Sequence, residues 1–132
     1  MNRLRPVLRL NAASCLLFGL LFIAVPSPVA AFLADRNPAP EWLIMGLGIG
    51  LLLNGLGLFI TARAPLPNRI MVRFFSIGDA LWVLGTLVLL ASGIWIDRVP
   101  GGVAALAVAA FVGAAGWMQW AAVSGSKGIA EI

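Results

Sequence analysis

Asp79 is the one acidic residue that falls inside a long apolar stretch of this sequence. An ionised aspartate at the centre of a spanning helix costs roughly 2.5–3.5 kcal/mol on insertion scales, less near the interface. Such an acid either keeps its proton or finds a cation, and Arg73 and Arg9 are the candidates, reaching in from the inner edge of the membrane. Two chemistries follow. Asp79 can couple proton movement or recognise a cation, or it can hydrogen-bond to Asn54 or Asn11 and fasten helices together. Ser76, three residues earlier, and Thr86, seven later, share its helix face. Asn11, Ser14, Asn54 and Gln119 complete the set of polar side chains expected in the same half of the bilayer. Polar groups in hydrocarbon are expensive unless partnered, so Asp79, Asn11, Ser14, Asn54, Ser76 and Gln119 are expected to face one another in an inward-facing cluster.

Other chemistry is poorly provided for. The chain has no histidine, no tyrosine and a single cysteine, Cys15. Without histidine there is no ordinary zinc set and no Ser-His catalysis. One aspartate with no histidine or thiol partner is a poor catalytic set, so no enzyme, no metal and no cofactor are expected. Cys15 reads as a small apolar filler of its helix. The net charge is +4, but the arginines stand at the ends of apolar runs rather than on a soluble face, which argues against nucleic acid as a partner.

The segments that must position these groups are membrane-spanning. Of the 132 residues, 61% are hydrophobic and 11% charged, with a mean hydropathy of +1.02. Soluble domains run near 45–50% apolar and about 25% charged, so the partner of this surface is the lipid bilayer. About 20 apolar residues cross a ~30 Å hydrocarbon layer, and four runs suffice: 7–33, 43–62, 74–96 and 103–123. The expectation is one all-α domain over 1–132, an integral membrane bundle of four transmembrane helices in up-down-up-down order. The separators hold the breakers, Asp35 to Glu41, Arg63 to Arg69 and Asp97 to Gly102. Arg3, Arg5, Arg9, Arg63, Arg69, Arg73 and Lys127 fall on one side, Arg36 and Arg98 on the other. That asymmetry places both termini inside, N-in and C-in. Trp42 and Trp95 then lie at the outer interface, Trp117 and Trp120 near the inner one. Val29-Ala30-Ala31 also fits a signal-peptide cleavage site after Ala31, but the apolar run continues through Phe32 and Leu33, long enough to span.

Helices in lipid associate through close packing and interhelical hydrogen bonds. Gly46 and Gly50 make a small-xxx-small pair on the second run. Ala109 and Gly113 lie on a small-residue face of the fourth, together with Ala105. The outer turns share the pattern Asp-Arg-x-Pro, at Asp35 to Pro38 and Asp97 to Pro100, a weak sign of duplicated hairpins.

The stretch Asp79-Ala80-Leu81-Trp82-Val83-Leu84-Gly85, the Arg9-Leu10-Asn11 opening and Gln119 together resemble small four-helix bacterial membrane proteins known only as hypothetical proteins. The resemblance covers nearly the whole chain and implies a multi-pass protein of the bacterial inner membrane, with no activity attached. The first run lacks the embedded glutamate of small multidrug-resistance transporters, and the pattern of small fluoride channels is not seen. The leading expectation is an accessory or scaffold subunit that packs against itself or a larger membrane complex. The alternative is a small transporter or channel, homo-oligomeric because one chain offers little room for a pathway, with Asp79 in its polar cluster.

Overall fold

The computed structural model describes residues 4–66 and 68–125. Arg3, Pro67 and Lys127, on which the charge count and the second turn draw, lie outside the described residues. The chain is all-helical, with α1 (Leu4–Ala24), α2 (Pro26–Leu33), α3 (Glu41–Arg63), α4 (Arg69–Ser92) and α5 (Val99–Gly125). Four of these, α1, α3, α4 and α5, are long and apolar enough to cross a membrane, as a multi-pass membrane protein requires.

The boundaries differ from the apolar runs for local reasons. The first run is broken at Val25, whose backbone lies outside the helical region (φ −134°, ψ 61°). The ring of a following proline disfavours helical geometry in the residue before it, so Pro26 ends α1 and opens α2. The break is a kink rather than a loop, because Val25 N–H still bonds Leu21 O and Val29 N–H bonds Val25 O. The third run stops at Ser92 rather than 96: Gly93 takes the left-handed C-cap conformation (φ 71°) and its N–H returns to Leu89 O. Trp95 is also left-handed (φ 63°), a conformation that costs a residue with a Cβ about 1–2 kcal/mol. Its ring packs against Ala30, Ala39 and Ile44, which offsets that strain.

At the other ends helices start early. Asn68 Oδ1 accepts from Ile70 and Met71 N–H at 2.8 and 3.3 Å, so α4 begins at Arg69. Pro100 sits in the first turn of α5, where a missing N–H is harmless. Gly101 and Gly102 are helical rather than loop. At Gly101 a Cβ would lie 2.6 Å from Leu33 Cα, so only glycine lets α5 start against the end of α2.

Two antiparallel pairs make up the core. In the first, Gly19 faces Gly48 so closely that a Cβ on either would lie 2.8 Å from the other's carbonyl oxygen, and Gly55 abuts Ala12 and Cys15. In the second, Gly116 fits over Asp79, where a Cβ on the glycine would lie 2.8 Å from that of Asp79, and Gly113 lies against Val83. Ala109 is buried on the same helix. The close approach expected at Gly46 and Gly50 is made by Gly48 and Gly55 instead. A Cβ on Gly46 or Gly50 meets nothing within 4 Å, because the face that reaches α1 is the one two residues round.

α1 also packs along α5, joining the pairs, while α3 and α4 touch only at one end. There Phe75 presses on Gly57, within a core that includes Leu4, Leu8, Leu58, Val72 and Val123. Arg5 closes that end, donating to Ala64 O and Pro65 O at 2.9 and 2.8 Å. Arg63, Arg69 and Arg73 stand at the same end. The opposite end is clasped by Asp97, whose carboxylate accepts from the backbone N–H groups of Asp35, Arg36 and Asn37 at 2.7, 3.1 and 3.3 Å. Arg98 Nη1 donates to Ala31 O at 2.9 Å. The two Asp-Arg-x-Pro turns therefore dock on each other, with unequal roles.

Two outcomes are expected. Gly48→Ala should lower the melting point in detergent by the equivalent of about 1–3 kcal/mol, the usual scale of overpacking, while Gly50→Ala should leave it within error. Equal effects would refute the packing described. The N–H bonds to Asp97, that of Asp35 first, hold its carboxyl below the ordinary carboxylate range. A lowered folded-state value gives stability that is full above the unfolded value and lost as pH falls through the folded one. Melting should therefore weaken as pH drops below about 4, and Asp97→Asn should flatten that acid limb.

Candidate polar site and lateral cleft

The polar side chains converge where α1, α4 and α5 meet. On α1, Asn11 follows Leu8 and precedes Ala12 and Cys15 on the buried stripe. Its amide Nδ2 donates both to Asp79 Oδ2 at 3.0 Å and to Gln119 Oε1 at 2.8 Å. Gln119 Nε2 reaches Ser76 Oγ at 3.5 Å. Asn11 and Gln119 are fully buried, and Asp79 and Ser76 nearly so. Thr86, on the same face of α4, is satisfied by its own helix through Trp82 O at 2.8 Å.

Asn54, an expected direct partner of Asp79 or Asn11, joins through sulfur. Its Nδ2 donates to Cys15 Sγ at 3.4 Å, and Cys15 Sγ donates to Asn11 Oδ1 at 3.8 Å. The thiol read as an apolar filler thus links α3 to the cluster. The signal lay in the spacing, since Asn11 and Cys15 are one helical turn apart. Ser14 is half-buried beside this chain of bonds and lines the adjoining cleft.

Of the two alternatives for Asp79, the pairing with Arg73 or Arg9 is not formed. Arg73 points away, with Nη2 3.4 Å from Ser124 Oγ and its guanidinium 5.3 Å from the centre of the Trp120 ring. Arg9 is exposed. Asp79 is held by an amide, and among the described residues no arginine pairs with it.

The divergence of α3 from α4 leaves a cleft beside this cluster. Its lower part, about 390 Å³, is lined by Asp79, Asn54, Ser14 and Cys15 together with Trp42 and Trp82. A larger apolar part of about 700 Å³ runs on toward Trp95 and Ile96. The two share Phe18, Leu43, Leu47, Gly78, Trp82 and Val108, so they adjoin along one side of the bundle. Glycine keeps the cleft open: a Cβ on Gly46, Gly50, Gly78 or Gly85 would meet nothing within 4 Å. Sequence reasoning named Gly46 and Gly50 for contact and passed over Gly78 and Gly85. The seven-residue spacing that puts Gly78, Trp82 and Gly85 on one face of α4 was the available signal.

The arrangement offers hydrogen-bonding groups and one carboxyl beside an apolar slot. It presents no nucleophile activated by a base. Comparison with protein families, with curated proteins and with solved structures finds no match for the chain.

Because one amide serves both Asp79 and Gln119, their contributions should be coupled. Asn11→Ala and Gln119→Leu, separately and together, should show an interaction energy of about 0.5–2 kcal/mol in detergent unfolding. Strict additivity would mean that the bonds do not form.

Proposed function

We propose that the chain is a membrane protein that binds an amphiphile from the bilayer, admitting it sideways between α3 and α4. One observation carries this reading: an apolar cleft kept open by four glycines runs to Asp79, the buried acid of α4. Small-molecule sites in general are concave, mostly apolar, about 300–1,000 Å³, and carry a few polar groups that fix orientation. The cleft has that composition, and its mouth faces where lipid would lie. Binding of this kind suits a small transporter or carrier, with Asp79 as the group that selects its cargo.

The accessory-subunit reading uses the same feature differently. There the cleft seats a helix of a partner, and Gly46 and Gly50 give it room for close approach. Under either reading Arg5, Arg63, Arg69 and Arg73 mark the cytoplasmic end of a protein with both termini inside, in the inner membrane of a bacterium. A cysteine at Asn37 then reacts with an impermeant thiol reagent added to intact cells, and one at Leu66 does not, with Cys15→Ala as background.

Native mass spectrometry from mild detergent distinguishes the readings. The expected result is a complex that carries a small amphiphile, lost in Gly50→Phe/Gly78→Phe, which fills the cleft without altering the melting point. A stoichiometric foreign subunit, lost in the same variant, would favour the accessory role. If neither species accompanies the protein, amphiphile binding is rejected.

A further inference from the structure

We infer that the cleft selects a cationic amphiphile, a single apolar chain ending in an amine or quaternary ammonium group, with the charged end at Asp79. The inference deepens the amphiphile-binding reading and rests on it.

Four observations fix the sign of the ligand. Asp79 contributes the one carboxyl to the cleft lining, and no arginine lines it. The groups around Asp79 are neutral on every side: Asn11 and Cys15 from α1, Asn54 from α3, Ser76 from its own helix and Gln119 from α5. Arg73, the cation nearest to it along α4, is committed to Ser124 and the Trp120 ring. A carboxyl so placed lacks a countercharge from its own protein, and in a medium of low dielectric a charge pair is far stronger than in water.

The walls agree. Trp42 and Trp82 line the polar part of the cleft beside Asp79. Tryptophan faces attract ammonium groups, most strongly when water is excluded. An anionic head would meet the carboxyl without any compensating cation. A neutral head could use Asn54 and Ser14 but would leave the carboxyl unmatched.

The cleft also sets the orientation and the length. Its apolar part extends toward Trp95, so the tail points to the end clasped by Asp97. From Asp79 to the end of α4 at Ser92 is about 20 Å at 1.5 Å per residue. That accommodates an extended dodecyl chain.

Three probes with one tail test the head group: (12-bromododecyl)trimethylammonium, 12-bromododecanol and 12-bromododecanoate. Bromine quenches tryptophan fluorescence, and Trp42, Trp82 and Trp95 line the cleft. With the purified full chain in a nonionic detergent, the ammonium probe should quench saturably and bind about tenfold more tightly than the alcohol, the scale of one charged contact. The carboxylate should bind more weakly than the alcohol. Asp79→Asn should bring the ammonium probe to the alcohol's affinity and leave the alcohol unchanged. Ser14→Lys, which supplies a fixed cation in the cleft and spares the Asn11–Asp79 bond, should do the same even if Asp79→Asn does not fold. Trp95→Phe should remove most of the quenching by the tail bromine. Saturable binding with no preference among the heads, or a preference that survives Ser14→Lys, would overturn the cationic assignment and leave the cleft as a binding site. No saturable quenching by any probe would reject the cleft reading itself.

Discussion

One amide group holds the bundle in register. Asn11 Nδ2 reaches from α1 to both Asp79 on α4 and Gln119 on α5, and α1 packs along both α3 and α5. Lipid tails are as apolar as leucine, so helices in a bilayer gain little by burying apolar surface against each other. An unmatched amide or carboxyl in hydrocarbon, by contrast, is penalised by several kcal/mol. Sliding α1 by one residue would turn Asn11 off its two acceptors together. The pairing of the hairpins is therefore fixed by polarity, and their internal packing by shape.

Glycine serves that shape in two opposite ways. At Gly19, Gly48, Gly55 and Gly116 the missing side chain lets backbones or buried groups come into contact. At Gly46, Gly50, Gly78 and Gly85 it leaves space unfilled. α3 carries both kinds on different faces, one toward α1 and one toward the cleft. A close helix–helix seam and an open slot are thus built from the same residue within a few turns.

The number of long apolar helices was legible because apolar run length is a strong signal, but their limits were less so: the first run, 7–33, breaks at Val25 into α1 and α2. The polar cluster was legible too, since Asn11, Ser76, Asp79 and Gln119 have few places to go in a bundle this small. Two things were not. The partner of each polar group depends on helix rotation, which the weak amphipathicity of apolar spans barely encodes; hence Cys15 entered the chain of bonds and Arg73 left it. The cleft is a gap between α3 and α4, and a glycine that makes contact looks in sequence the same as one that avoids it. Gly46 and Gly50 make no close approach within this chain.

The clasp at Asp97 has a consequence for biogenesis. The α1–α3 pair can close on its own glycines as soon as both helices have been synthesised. The N–H groups of Asp35, Arg36 and Asn37, however, have no carboxylate until Asp97 emerges, some sixty residues later. The turn between α2 and α3 is therefore completed by a residue made only after α3 and α4. The late hairpin acts as a latch on the early one, and a nascent chain halted before Asp97 would hold its helices without fixing the turn between them.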